Sequence, residues 1–404
     1  MIYLDYNATT PVDPRVLEAM LPMFATDFAN PSSKHAAGRD VAARVERARG
    51  EVGALVGARR KDVVFTSGAT ESVNLAIHGV LASAGPARRR VLVGATEHKA
   101  VIAAAEAAAT ARGGTVEAVA VHDNGTIDLD DLERRLGADV ALVAVMAANN
   151  ETGVINDVRH AATLAHRAGA PLLCDLTQAA GKIPVAIGAL GVDVAAWSAH
   201  KLYGPKGVGA LAAAPALRGR LTPLISGGGQ ERGLRAGTVN AAGIVGFGRA
   251  SAIAAELLDS EAVRQQNLVR LLRLRLTQRL TSRYGPAAVE VNGAGAPRLP
   301  NTVSLRFRGA DADAVLACLP DVAVSAGSAC GSGDPEPSHV LLAMGLDAEA
   351  ALSSLRFSVG RPTTEQEVVA AADRVADAVI RVRELRAEQT RERPSQGSPV
   401  AAGP

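Results

Sequence analysis

An α/β architecture with a mostly parallel central sheet, followed by a smaller α+β part, is the fold the sequence predicts. Three observations point to it. Apolar runs of strand length alternate with helix-periodic stretches from Asp62 to Trp197, the rhythm of βαβ units. After Gly243 the rhythm stops and a long helical stretch takes over. The chain has 404 residues, comfortable for two domains and long for one hydrophobic core.

The strand-like runs fall at 62–66, 90–94, 116–119, 141–145, 171–175 and 192–197. Ala-rich periodic segments at 99–112 and 158–169 supply helices between them. In the long helical stretch Leu268, Leu272, Leu276 and Leu280 recur every fourth residue, with arginines on other faces. Residues 301–307 alternate like a strand. Thr364 and Glu367 have the spacing of a capping box ahead of a helix over 364–385, whose buried stripe is Val368, Ala372, Val375, Val379 and Val382. Beyond Ala387 the polar, Pro- and Gly-containing sequence reads as a disordered tail.

Hydrophobic residues make up 48% and charged residues 21%, the balance of a globular enzyme; with 3% aromatics the core must be Ala, Val and Leu. A net charge of +2 argues against an extended nucleic-acid footprint, and Arg88-Arg89-Arg90 reads as a solvated face. The N-terminus lacks a basic-then-apolar signal pattern, and the best uncharged apolar run, 140–148, is too short to span a bilayer. Cys174, Cys318 and Cys330 have no metal-ligand spacing and leave one cysteine over in any disulfide scheme. A reduced, cytoplasmic protein without membrane contact is expected.

Chemistry enters with the lysines, of which there are six: Lys34, Lys61, Lys99, Lys182, Lys201 and Lys206. Lys201 lies just beyond a strand-like run, where a desolvated amine forms an imine with an aldehyde cofactor readily; an ordinary loop lysine is the rival reading. Asp175 ends another apolar run, at the edge where open α/β sheets bind ligands. Pyridoxal phosphate needs such a carboxylate, because pairing with the pyridine nitrogen keeps the ring an electron sink. Gln178 is placed to bond the ring's phenolic oxygen. Residues 66–72 join a strand to a helical pattern, where unpaired amides and the Thr70 hydroxyl can hold a phosphate. His98, past a further strand, can stack on the ring and shuttle protons. Each alone has a bland alternative as a cap or a structural residue; Lys201 and Asp175 one strand apart favour the cofactor.

A series of motifs then runs in order to about residue 385. It comprises Tyr3-Leu4-Asp5, Ala8-Thr9-Thr10-Pro11, Asn30-Pro31-Ser32-Ser33, Ser67-Gly68-Ala69-Thr70-Glu71-Ser72, Thr96-Glu97-His98-Lys99 and Asn149-Asn150-Glu151. It continues with Asp175-Leu176-Thr177-Gln178, Ser198-Ala199-His200-Lys201, Arg235-Ala236-Gly237-Thr238 and Ser325-Ala326-Gly327-Ser328-Ala329-Cys330. The set resembles the class V aminotransferase-fold cysteine desulfurases, in the long-loop group that feeds iron–sulfur cluster assembly and tRNA thiolation. The resemblance implies the aspartate-aminotransferase-like, fold type I architecture of pyridoxal-phosphate-dependent transferases. It implies that Lys201 holds pyridoxal 5'-phosphate, Asp175 its pyridine nitrogen and Gln178 its phenolic oxygen. His98 would stack on the ring and move protons, with Asn150 near a ring substituent. Ala69, Thr70, Ser198 and His200 would cradle the phosphate, and Thr238 would reach it from the second subunit of a homodimer. Arg356 would bind the carboxylate of L-cysteine, a planar group suited to a guanidinium. Leu176, Ala199 and Thr152 depart from the family's usual Ala, Gly and Ile.

Cys330 would be the nucleophile that takes the sulfur as a persulfide and leaves alanine. Small residues and glycines surround it, so little packing would hold it, whereas Cys174 and Cys318 sit in apolar runs and read as inert buried thiols. His98 is the candidate base for that thiol. No metal site is expected, although Cys330 could transiently ligate an iron–sulfur cluster. The implied organisation is a large cofactor-binding domain over 15–256, a small domain from 1–14 and 257–385 carrying the cysteine loop, and a tail over 386–404. Expected partners are a second copy and a sulfur-acceptor protein, such as an iron–sulfur scaffold or a tRNA-thiolation protein, with no direct nucleic-acid contact. A class V aminotransferase or lyase, a selenocysteine lyase and a non-catalytic sulfur-carrier scaffold are the alternatives.

Overall fold

The computed structural model describes residues 1–326 and 336–392. Strand β1 (Ile2–Tyr3) opens the chain, and seven strands build the main sheet: β2 (Val63–Thr66), β3 (Arg90–Gly94), β4 (Thr115–Val119), β5 (Val140–Ala144), β6 (Leu172–Asp175), β7 (Val194–Ser198) and β8 (Gly209–Ala213). Their order is β2-β8-β7-β6-β5-β3-β4. The ladders joining β4, β3, β5, β6 and β7 are all parallel, as expected of the alternating pattern. Strand β8 runs against both β2 and β7, and the sequence reading did not contain it. Its Gly-Ala-Leu-Ala-Ala has no β-branched or aromatic residue, so pairing with two neighbours, rather than propensity, makes it a strand.

Side chains alternate across the sheet as a period of two requires. Val63 and Phe65 enter one core, with Trp197, Phe247 and the helix Val158–Arg167. Val64 enters the other, with Leu75 of the helix Ala69–Ser83 and Ala105 of the helix Lys99–Thr110. A third core lies around a smaller antiparallel sheet of β9 (Glu290–Val291), β10 (Thr302–Arg306) and β12 (Ser354–Ser358), in the order β12-β10-β9. Strand β11 (Val322–Ala323) pairs in parallel with β1.

The helix Ala241–Tyr284 joins the two regions. Its Ile244, Phe247, Ala250 and Ile253 pack in the main core, while Leu268, Leu272, Leu276 and Leu280 pack with Leu4, Leu305 and Phe357 in the third. We propose that the boundary between the domains falls inside this helix, between those two sets. By length and composition the helix is apolar enough to cross a membrane, although Arg249 and Glu256 interrupt its uncharged run. However, 56% of its most apolar window is buried inside the protein, as in a core helix.

The closing helix spans Glu365–Glu392. Thr364 N–H donates to Glu367 Oε2 (2.8 Å) and Glu367 N–H to Thr364 Oγ1 (3.2 Å), the reciprocal bonds of a capping box. The tail expected from residue 386 therefore begins too early. Residues 386–392 are, apart from Thr390, strong helix formers with no Gly or Pro, and their polarity disguised them as tail.

Candidate active site

Five parallel strands of the main sheet end at one edge, and each hands over to a segment bearing polar side chains. Strand β2 leads to Ser67 and Thr70, β3 to His98, β5 to Asn150; β6 ends on Asp175 and β7 on Ser198. A cavity of about 550 Å³ opens there. Ala69, Thr70, His98, Asn150, Asp175, Gln178, Ser198, His200, Lys201 and Arg356 all line it. The crevice at the carboxyl ends of the strands is where open α/β sheets bind ligands.

One end of the cavity is built of donors. Helix Ala69–Ser83 starts after Gly68 with no side-chain cap among the described residues, so its first-turn amides are left for a ligand. A Cβ on Gly209 would lie 2.5 Å from the Gly68 backbone, so glycine there lets β8 approach this helix start. Ser198 Oγ is buried without a hydrogen-bond partner among the described residues. His200 Nδ1 lies 3.2 Å from Thr9 Oγ1; burial, then the cations Lys201, Lys206 and Lys182, push His200 down to about 4. A neutral imidazole, free amides, an orphan hydroxyl and Lys206 suit a phosphate dianion.

The other end is built around Lys201. After β7 the chain makes a short 3-10 turn, Ala199–Lys201, and then Tyr203 takes a left-handed conformation with φ +68°. Tyr203 N–H donates to Thr10 Oγ1 (2.8 Å), which ties this strained corner to the N-terminal segment. Lys201 Nζ donates to the carbonyls of Asn7 (2.5 Å) and Ala8 (2.7 Å). Burial, followed by Arg356, lowers its pKa to about 8, against the pull of Asp5 and Asp175. Asp175 Oδ1 accepts the Thr177 N–H at 2.8 Å. Fully buried Glu97 is pushed up to about 8 by burial and by Asp175, and it accepts the Met146 N–H.

His98 caps the helix Lys99–Thr110, its Nδ1 accepting the Ala100 N–H at 3.1 Å. With Nδ1 committed, the neutral ring carries its proton on Nε2. Burial is the main cause lowering its pKa. Arg356 is buried between Asp5 Oδ1 (2.6 Å) and the Asn150 carbonyl (3.0 Å), and its Nε has no partner among the described residues. The expected carboxylate binder thus already holds one carboxylate.

Several residues without an assigned role belong to this site. Asn7 accepts from Lys201 and Lys182, and Lys182 also donates to Gln178. The motif beginning Tyr3-Leu4-Asp5 and the scarcity of lysine were the available signals. Thr238 is exposed and does not line the cavity of its own chain. Cys330 lies outside the described residues. Of the other cysteines, Cys174 is fully buried and its thiol is pushed well above the usual value; Cys318 is only partly buried, because its helix Ala312–Ala317 ends just before it.

The donor set fits pyridoxal phosphate. An uncapped helix start and an orphan hydroxyl await a phosphate, and a carboxylate and a reactive amine stand across the same cavity. The class so defined is a pyridoxal-phosphate-dependent enzyme of fold type I. Residues 2–370 match the family model described as Aminotransferase class-V. A cysteine desulfurase of Frankia sp. (strain EuIK1) is 61% identical over 392 residues, covering 95% of this chain and 93% of its own. A cysteine desulfurase IscS of Anaeromyxobacter sp. (strain Fw109-5) is 45% identical over 385 residues, covering 95% and 94%. A solved NifS-like protein superposes with a TM-score of 0.85 at 34% identity, covering 94% of this chain and 99% of that one. The chain belongs to the class-V aminotransferase family, in its cysteine desulfurase branch.

Proposed function

We propose that this enzyme takes sulfur from L-cysteine onto Cys330, with Lys201, His98, Asp175 and Arg356 serving the chemistry. The observation that carries the reading is a reactive lysine and an arginine with an unused Nε in one cavity. When bound, pyridoxal phosphate supplies an electron sink that acidifies the substrate's Cα–H. Lys201 carries the cofactor and yields it to the substrate amine, a role its low basicity suits. Asp175 holds the pyridine nitrogen, and the donors at the start of helix Ala69–Ser83 hold the phosphate. Arg356 turns its unpartnered Nε to the substrate carboxylate beside Asp5. His98 presents its Nε2–H to the cavity as a donor, and it serves as base for a thiol only in the other tautomer, with the proton on Nδ1 and the Ala100 N–H bond given up.

The sulfur step balances without an oxidant. The Cys330 thiol and L-cysteine give a Cys330 persulfide and L-alanine: an S–S bond forms, the substrate's Cβ–S bond breaks, and the carbon fragment gains a proton. Both described flanks of residues 327–335 are tied to cavity residues or their neighbours, Arg356 on one side and Glu97, next to His98, on the other, which supports this role. Ser325 exchanges backbone bonds with Arg356 (3.2 and 2.7 Å), and His339 Nε2 lies 2.9 Å from the Glu97 carbonyl. Replacing Cys330 with Ser is expected to abolish sulfide release from L-cysteine and leave the cofactor absorbance intact; unchanged turnover would sink the assignment.

The protein acts as a homodimer in this reading, and the persulfide passes to an acceptor protein such as an iron–sulfur scaffold or a tRNA-thiolation protein. A reducing, cytoplasmic setting suits so reactive a thiol. Mass spectrometry of the cysteine-treated enzyme, with candidate acceptors added in turn, identifies the recipient by loss of the persulfide.

A further inference from the structure

We infer that Lys182 is a positioning residue that fixes the Gln178 carboxamide, so that an N–H rather than the carbonyl oxygen faces the cofactor. The inference rests on the reading that Gln178 meets the cofactor's phenolic oxygen. The two ends of a carboxamide are alike in shape and opposite in hydrogen-bond character, so partners alone decide which end faces a site. Gln178 is 4% exposed and lines the cavity. Its Oε1 accepts from Lys182 Nζ at 2.5 Å, and one Nε2–H donates to the Asn7 carbonyl at 3.0 Å. A second Nε2–H remains for the cavity.

A protonated lysine amine suits this task because it has donors and no lone pair to offer. Lys182 donates to two oxygens, Gln178 Oε1 and Asn7 Oδ1 (2.9 Å), and even an unprotonated amine has two N–H groups to give. Asn7 is itself immobilised: it is 1% exposed, donates to Thr302 Oγ1 (2.9 Å) and the Asn150 carbonyl (3.2 Å), and accepts from Asn301 (3.0 Å). Lys182 as a whole is partly buried, yet burial of its amine, with Lys201 and Arg356 nearby, pushes its pKa well below the usual lysine value. An amine placed beside two cations is costly, and locking the amide is the return that the geometry shows. Without it the amide can rotate, turning Oε1 toward an electron-rich oxygen.

The test is the pH midpoint of the bound cofactor's absorbance change, in the wild-type holoenzyme and in Lys182→Met, Gln178→Leu and the double variant. Losing a donor at the phenolic oxygen makes that oxygen hold the proton it shares with the Lys201–cofactor nitrogen more tightly. Gln178→Leu and Lys182→Met are therefore each expected to raise the midpoint by about one pH unit. In the Gln178→Leu background Lys182→Met is expected to add nothing, because the two act as one unit. An equal shift by Lys182→Met in both backgrounds overturns the inference, as does a shift in Gln178→Leu alone. No shift in Gln178→Leu overturns the underlying contact itself. Should Lys182→Met not retain cofactor, Lys182→Arg keeps the donors and is expected at the wild-type midpoint, with Lys182→Gln raised; an equal rise in both overturns it.

Discussion

Single side chains in this site have properties that follow from what surrounds them. Lys201, brought down to about 8 mainly by burial, is about one-tenth neutral at pH 7 and about nine-tenths neutral at pH 9. Because the neutral amine attacks the aldehyde, covalent capture of pyridoxal phosphate by apoprotein should accelerate through about pH 8 and then level off. Stopped-flow absorbance measures it, and a rate flat from pH 7 to 9 would count against the assignment. Arg356 offers a second consequence. A lysine there lacks the planar fork whose separate nitrogens reach Asp5, the Asn150 carbonyl and a substrate carboxylate, so Arg356→Lys should raise KM for L-cysteine about 10- to 100-fold with the cofactor absorbance unchanged. Lys201 was legible because it stands just past a strand in a recognisable motif, whereas Arg356 was reached only through the family resemblance. Asp5 and Asn7 were not assigned: their partners lie hundreds of positions away, and no local pattern announces such a contact.

At the level of elements, legibility followed periodicity. The leucines from Leu268 to Leu280 and the stripe from Val368 to Val382 are buried as the helical period required. Strand β8 has too few residues and too little β propensity to signal itself, yet it sits between β2 and β7 and brings Gly209 against Gly68. The end of the closing helix was misjudged for a related reason, since a solvated helix and a charged tail share a composition. Its start was plain. Thr364→Ala removes one half of the capping box and should cost about 1 kcal/mol of stability, read as a lower urea midpoint with an unchanged slope.

For the molecule as a whole, the proposed homodimer has a specific consequence. Leu17, Leu21, Phe24 and Phe28 are exposed at 48%, 57%, 66% and 75% on consecutive segments, an apolar surface that a second copy would cover. If Thr238 completes the neighbour's phosphate site, a dimer of one Lys201→Ala chain and one Thr238→Ala chain holds one fully wild-type site. Co-expressed, the two variants are expected to regain cofactor retention and activity in half of the sites of the mixed dimer. Recovery absent from isolated mixed dimers would place Thr238 at its own chain's site, and an unimpaired Thr238→Ala homodimer would place it at none.

Apolar periodicity and ordered motifs were enough to read the α/β class, the positions of most strands and residues that line the cavity, because those signals are local. The reversed strand and the turning of Gln178 by Lys182 were not in those signals. Nor was the hold of the N-terminal segment on both lysines. These depend on which distant groups meet, and burial then sets the basicity of Lys201 and of His200, which local sequence leaves open.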